Sequence, residues 1–288
     1  MVEIVELHDH PPLSAPVLVI ALEGWIDSGL SAGAAMTSIL DSIDTDLVAT
    51  FETDEFLDQR ARRPMMSIVD GHVRELIWPN IELRSGVDES GNHVLLLIGA
   101  EPDHRWGMFC QAVIDLALDL DVRLIVGLGA YPAPVPHTRP TQLSLTSPSE
   151  SIVESYLGFV KGTVEVPAGI QTAIETAAHD VGIPSVGLWA QVPHYISGMT
   201  YSAASLALIE GLGRVAGLNF PTAELALDAA ATRDRLDDLV AGNPQHIAML
   251  RQLEEASDAV GPVDDLGPLP SGDEIANELE KFLREQGG

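Results

Sequence analysis

The stretch VLLLIGAEPDHRWGMFCQAVIDLALDLDVRLIVGL, Val94 to Leu128, decides the fold. Val94 to Ile98 and Leu124 to Leu128 are unbroken apolar runs one strand long, the pattern of strands buried on both faces of a sheet. Between them Phe109, Ala112, Val113, Leu116, Ala117 and Leu120 recur at i, i+3, i+4, a spacing that gathers them into one apolar stripe on a helix. Strand, one-sided helix, strand is a right-handed crossover between parallel neighbours.

The same grammar extends in both directions. Val17 to Leu22 and Ser185 to Ala190 are two more buried strands, and helical stripes recur at Ile170, Ala173, Ile174, Ala177, Ala178, Val181 and at Leu206, Ile209, Leu212, Ala216. The expected fold is α/β, a three-layer α/β/α sandwich with a mostly parallel sheet. Met65 to Trp78 departs from the pattern. Two short runs flank Asp70-Gly71, which suits the positive φ angles of a type I′ turn, so an antiparallel hairpin is expected there. Leu143 to Thr146 adds a strand after a proline-rich loop from Tyr131 to Pro140. Past Asn219-Phe220-Pro221 the character changes to helices with charged faces, Thr222 to Ala241 and then one opened by Asn243 as N-cap with Pro244 in the first turn. Gly261 to Gly272 is rich in proline and glycine, and an acidic helix is expected over Asp273 to Arg284. The organisation read is an α/β domain over 1–220 and an acidic helical extension over 221–288.

Composition narrows the function. A total of 43 acidic side chains against 15 basic ones gives a net charge of −28, which repels a phosphate backbone, so nucleic acid is excluded as a general partner. With Cys110 the sole cysteine there is neither an intrachain disulfide nor a cysteine-rich metal site, and a reducing compartment fits. The first residues carry Glu3, Glu6 and Asp9 with no basic region, and no apolar run approaches the ~18 residues of a membrane span. A cytoplasmic chain that neither binds nor crosses a membrane is expected.

Short motifs carry weight only in context. Gly29-Leu30-Ser31-Ala32-Gly33 matches the nucleophile elbow of hydrolases, but the preceding strand ends near Leu22, too early to aim the serine from a strand end. Gly127-Leu128-Gly129 follows a strand as a dinucleotide fingerprint does, yet Pro132 stands where the third glycine belongs. Lys161 and Lys281, the two lysines, sit in no phosphate loop. His8 and His10 lack a second pair to complete a metal site and read as a frayed N-terminus. Arg60, Arg62 and Arg63 read as partners for the chain's own carboxylates. No catalytic residue, metal site or cofactor is expected.

Polar residues just past the four buried strands remain. Ligands of open α/β sheets gather beyond the carboxyl ends of the strands, and there the sequence places Asp27, Glu101, Arg105, His137, Arg139 and His194. They read either as a rim that binds a ligand or as a polar network or subunit contact.

In these motifs the chain resembles the proteasome-assembly-chaperone-2 family, in its bacterial branch of uncharacterised proteins. The resemblance rests on Gly24-Trp25-Ile26-Asp27-Ser28-Gly29, Arg63-Pro64, Gly99-Ala100-Glu101-Pro102 with Arg105-Trp106, Pro136-His137-Thr138-Arg139-Pro140, and Leu188-Trp189-Ala190 with Pro193-His194-Tyr195. It implies a fold similar to the phosphorylase/hydrolase-like fold of purine nucleoside phosphorylases, assembled into small rings with a trimer favoured. It also implies a non-enzymatic, assembly-chaperone-like protein binder; the alternative is a small-molecule enzyme of nucleosidase or hydrolase type. The final Gln286-Gly287-Gly288 departs from the hydrophobic-Tyr-any ending of archaeal relatives, and Tyr156 to Lys161 departs from the family's usual Tyr-x-Gly-Pro run.

Overall fold

The computed structural model describes residues 4–24 and 26–259. The segment Gly261 to Gly272 and the helix expected over Asp273 to Arg284 lie outside the described residues. In chain order the elements are β1 (Val5–Leu7), β2 (Val17–Glu23), α1 (Ser31–Ser42), β3 (Thr45–Phe51), α2 (Thr53–Phe56), β4 (Met65–Val69), β5 (His72–Ile77), β6 (Ile81–Val87) and β7 (His93–Ala100). There follow α3 (Trp106–Asp119), β8 (Leu124–Ala133), β9 (Leu143–Thr146), α4 (Glu150–Ser155), α5 (Ile170–Asp180), β10 (Ser185–Pro193), α6 (Ser202–Ala216), α7 (Ala223–Ala241) and α8 (Pro244–Ala259).

The four apolar runs lie side by side as β7-β2-β8-β10, all parallel. Antiparallel strands flank this centre, β6, β3 and β1 on one side and β9 on the other. The central strands divide their side chains between two cores. Val17 and Val19 of β2 and Leu124 and Val126 of β8 join Ala35 and Ile39 of α1 and Leu208 and Leu212 of α6 in one core. Leu18 and Ile20 of β2 and Leu95 and Leu97 of β7 join Phe109 of α3 and Ile174 of α5 in the other. That two-sided burial is why the strands read as continuous apolar runs, and it makes the sheet the middle of three layers.

Two expectations are revised. Residues 5–7 do not fray; they pair with β3 as β1. The proline-rich segment after Leu128 continues β8 as far as Ala133, with Pro132 opposite Val192 of β10. Proline is tolerated there because β2 pairs β8 only as far as Gly127, so no partner strand on that side needs its missing N–H. The hairpin β4–β5 forms around Asp70 and Gly71 with φ of 52° and 78°, as a type I′ turn requires. It stands as its own two-stranded sheet. Gln245 N–H donates to Asn243 Oδ1 at 2.9 Å, the expected cap of α8, and α7 buries Leu236 against the α1/α6 core. No helix among the described residues is long and apolar enough to cross a membrane.

Candidate functional site

Between β2 and β8 the helices change sides: α1 packs on one face of the sheet and α5 on the other. A cleft of about 570 Å³ opens there, at the carboxyl end of β2 and over the middle of β8 and β10, which contribute Leu128 and Trp189; crevices in open α/β sheets form beyond the strand ends at such a switch point.

Two of the expected residues meet at this cleft. Asp27 reaches over the first turn of α1, its Oδ1 accepting from Ala32 N–H (2.8 Å) and its Oδ2 from Gly33 N–H (3.0 Å). Glu101 does the same for α5, its Oε1 accepting from Ile170 N–H at 2.7 Å. Each carboxylate satisfies amides that have no partner within their helix and sits at the positive end of a helix dipole. Backbone geometry carries Glu101 into position. Its N–H donates to Glu23 O (2.7 Å), and Gly99, at φ 110°, lets the chain turn under Asn80, whose carbonyl oxygen takes the place a Cβ would need.

The other four lie elsewhere in the structure. Arg105 opens α3 in left-handed conformation and is ion-paired with Glu55. His194 stacks edge-on against Tyr195, and its Nδ1 is buried without a hydrogen-bond partner among the described residues. His137 and Arg139 are taken up by the helical extension. His137 is buried; its backbone N–H donates to Tyr195 Oη (2.9 Å), so the single tyrosine proton goes to His137 Nδ1 (2.7 Å). That leaves Nε2–H to donate to Asp237 Oδ1 at 3.1 Å, which fixes the tautomer. Arg139 makes a two-pronged pair with Asp258 (2.7 Å and 2.7 Å), the geometry guanidinium and carboxylate share. That hydrogen bonding raises the arginine pKa and lowers that of Asp258. Thr138 Oγ1 donates to Glu254 (2.6 Å), and Arg233 donates to Thr138 O (3.1 Å). The Pro136 to Pro140 loop is thus latched to both α7 and α8.

The structure also explains the motifs that failed their context test. Ser31 is buried, its hydroxyl donating to Ser28 O at 2.8 Å. Gly127 and Gly129 make room for side chains rather than for a pyrophosphate: a Cβ on Gly127 would collide with Gln171, and one on Gly129 with the ring of Trp189. Of the arginine run, Arg62 pairs with Asp103 (3.1 Å) and donates to Glu23 O.

Sequence reasoning passed over Gln171 and Glu175. Gln171 lines the cleft and donates to Glu175 Oε1 at 3.1 Å. Burial pushes the Glu175 carboxyl up to about 7, against the opposing pull of the Gln171 hydrogen bond. The available signal was a pair of polar residues at i, i+4 beside the apolar stripe of α5, opposite glycines at 127 and 187. The latch partners Asp237, Glu254 and Asp258 were hidden among many similar carboxylates.

A three-layer α/β/α sandwich with a cleft at its switch point and a helical extension latched over one strand-end loop defines the class. The chain belongs to the PAC2 family, whose model matches residues 21–240. Among solved structures it is similar to a protein of unknown function from Corynebacterium glutamicum, with 31% identity, TM-score 0.84, and 89% of this chain and 98% of that one covered. It is also similar to a Mycobacterium tuberculosis protein of unknown function, with 34% identity, TM-score 0.82, and 99% and 97% coverage. A Mycobacterium tuberculosis proteasome-assembly chaperone homologue matches at 31% identity, TM-score 0.75, over 82% of this chain and 99% of that one. No curated protein matches.

Proposed function

We propose that this is a cytoplasmic, non-enzymatic, assembly-chaperone-like protein that binds other protein surfaces and assembles with its own copies as a trimer. In this reading residues 1–220 are the body and 221–288 an acidic helical extension. The observation that carries it is the β4–β5 hairpin. Its residues are exposed on both faces, including Met65 (72%), Ile68 (54%), Val73 (59%) and Ile77 (56%), as is Trp78 (53%) just past its end. A lone two-stranded hairpin is marginal in water, and this much apolar surface left exposed on one element marks a protein-binding surface. Between chains of net charge −28, association has to be driven by apolar burial that outweighs repulsion. The relative named as a proteasome-assembly chaperone homologue supports the same direction. The test is the mass in solution by light scattering. The wild type is expected at three chain masses, and Ile68→Asp with Ile77→Asp at one. A monomeric wild type, or a double variant of unchanged mass, would sink the reading.

The cleft favours a second reading, an enzyme of nucleosidase or hydrolase type on this scaffold. It requires turnover of a nucleoside, ester or amide that disappears in Glu101→Gln while the melting temperature holds.

A further inference from the structure

The position of the cleft and its charge point in opposite directions. A crevice bordered by the first turns of two helices ordinarily attracts an anion, because free amides and helix dipoles present positive charge. Here Asp27 and Glu101 already hold those amides, so the anion's place is filled from within the chain. What is left unsatisfied is negative charge. Glu101 is 8% exposed, and among the described residues no cationic side chain is ion-paired with it, Arg62 beside it being paired with Asp103. An amide hydrogen bond orients a carboxylate without bringing a counter-charge, and the nearby Arg62 guanidinium is shared with Asp103, so Glu101, itself buried, is only partly compensated. Among the described residues no lysine, arginine or histidine lines the cleft, whereas Glu23 does. Glu175 stands one side chain behind, through Gln171.

Apart from Gln171 and Thr200, the side chains of the remaining wall are apolar or aromatic, among them Leu22, Ile26, Leu30, Leu128 and Trp189. A tryptophan face also attracts cations. The volume of about 570 Å³ lies within the roughly 300–1,000 Å³ of small-molecule sites. We propose that the cleft between α1 and α5 binds a small organic cation, an amidinium or guanidinium on an apolar body, with Glu101 as its principal counter-charge and Asp27 as the second. This goes beyond the reading based on the hairpin and stands or falls separately from it.

The experiment uses three probes of one shape and different charge on the intact chain: benzamidine, benzamide and benzoate, titrated by calorimetry and followed on the indole N–H signal of Trp189. Benzamidine is expected to bind saturably and at least tenfold more tightly than the other two. Glu101→Gln keeps an oxygen for Ile170 N–H and is expected to weaken benzamidine at least tenfold. Ala34→Trp, filling the cleft from α1, abolishes binding and keeps the test decisive if Glu101→Gln does not fold. Ethylguanidine against Gly-Arg-Gly distinguishes the source: tighter binding of the former indicates a free metabolite, of the latter an arginine side chain of a protein. Benzoate binding as tightly as benzamidine, or benzamidine binding that survives Ala34→Trp, overturns the proposal.

Discussion

The latch between the Pro136 to Pro140 loop and the α7–α8 hairpin sets its charged side chains against opposite ones, whereas the cleft between α1 and α5 sets carboxylates against backbone amides. Both belong to segments that follow strands of the same parallel centre, the latch loop after β8, Asp27 after β2 and Glu101 after β7. In the latch, Arg139 is matched by Asp258 and Glu254, and His137 by Asp237. In the cleft, Asp27 and Glu101 hold helix ends and no cation. The difference teaches that hydrogen-bond satisfaction and charge satisfaction are separate requirements. A region that meets both is finished as structure; a region that meets only the first retains a reason to bind something.

The comparison can be broken most severely from behind the cleft. Gly99→Ala would force a Cβ onto the Asn80 carbonyl at φ 110°, where neither backbone can yield cheaply, and a loss of about 3–5 kcal/mol is expected. Urea unfolding checks it, and a loss under about 1 kcal/mol would show that the loop carrying Glu101 is not held as described.

A smaller effect tests the carboxyl behind the cleft. Glu175 titrates at about 7 when folded, against an ordinary value of 4.5, so the native state holds the extra proton and stability falls as pH rises from 4.5 to 7. Above 7 the loss is complete, about 3 kcal/mol for that interval. Around it stand Gln171 on its own helix and, across Gly187, Trp189 Nε1 and Thr146, none of them charged. Glu175→Gln is therefore expected to be the more stable protein at pH 8 and to lose most of the difference in unfolding free energy between pH 5 and pH 8. An unchanged difference would assign the slope to other groups.

Perturbations of the latch come last. His137→Ala strips Tyr195 and Asp237 of a buried partner and is expected to cost about 2 kcal/mol. Arg139→Ala removes an exposed pair that solvent screens. It is expected to leave the melting temperature nearly unchanged while speeding amide exchange in α8 severalfold, an effect that added salt reproduces in the wild type. A global loss of stability in Arg139→Ala would mean that α8 unfolds together with the core rather than independently of it.

The fold was legible wherever a local pattern carried it. The four parallel strands are apolar runs because both their faces are buried, and Asp70-Gly71 and Asn243-Pro244 are local signals by nature. Of the flanking strands, β9 was legible as Leu143 to Thr146, whereas β1, β3 and β6 were not. β3 begins with Thr45 and Asp46 at the edge of the core, and β6 alternates Ile81, Leu83 and Ser85 inward with Glu82 and Arg84 outward, a period-two pattern that was present but overlooked. At the site, the sequence located the strand ends but not the partners. Whether Arg139 meets a ligand or Asp258 depends on the path of a helix 119 residues later, and no local pattern records that.

The helix ends at the cleft are capped by residues outside the usual cap position, Asp27 a few residues upstream of α1 and Glu101 far from α5 in sequence. Neither Leu30 before α1 nor Gly169 before α5 contributes a side-chain cap, so each cap is one replaceable residue outside its helix. Exchanging Asp27 and Glu101 for small neutral residues would uncover helix amides at two points around one space and shift the site toward anions, with Glu23 the carboxylate left on its wall. On the proposal that the cleft takes a cation, the sign of what it binds is set by two side chains and not by the sheet that carries them.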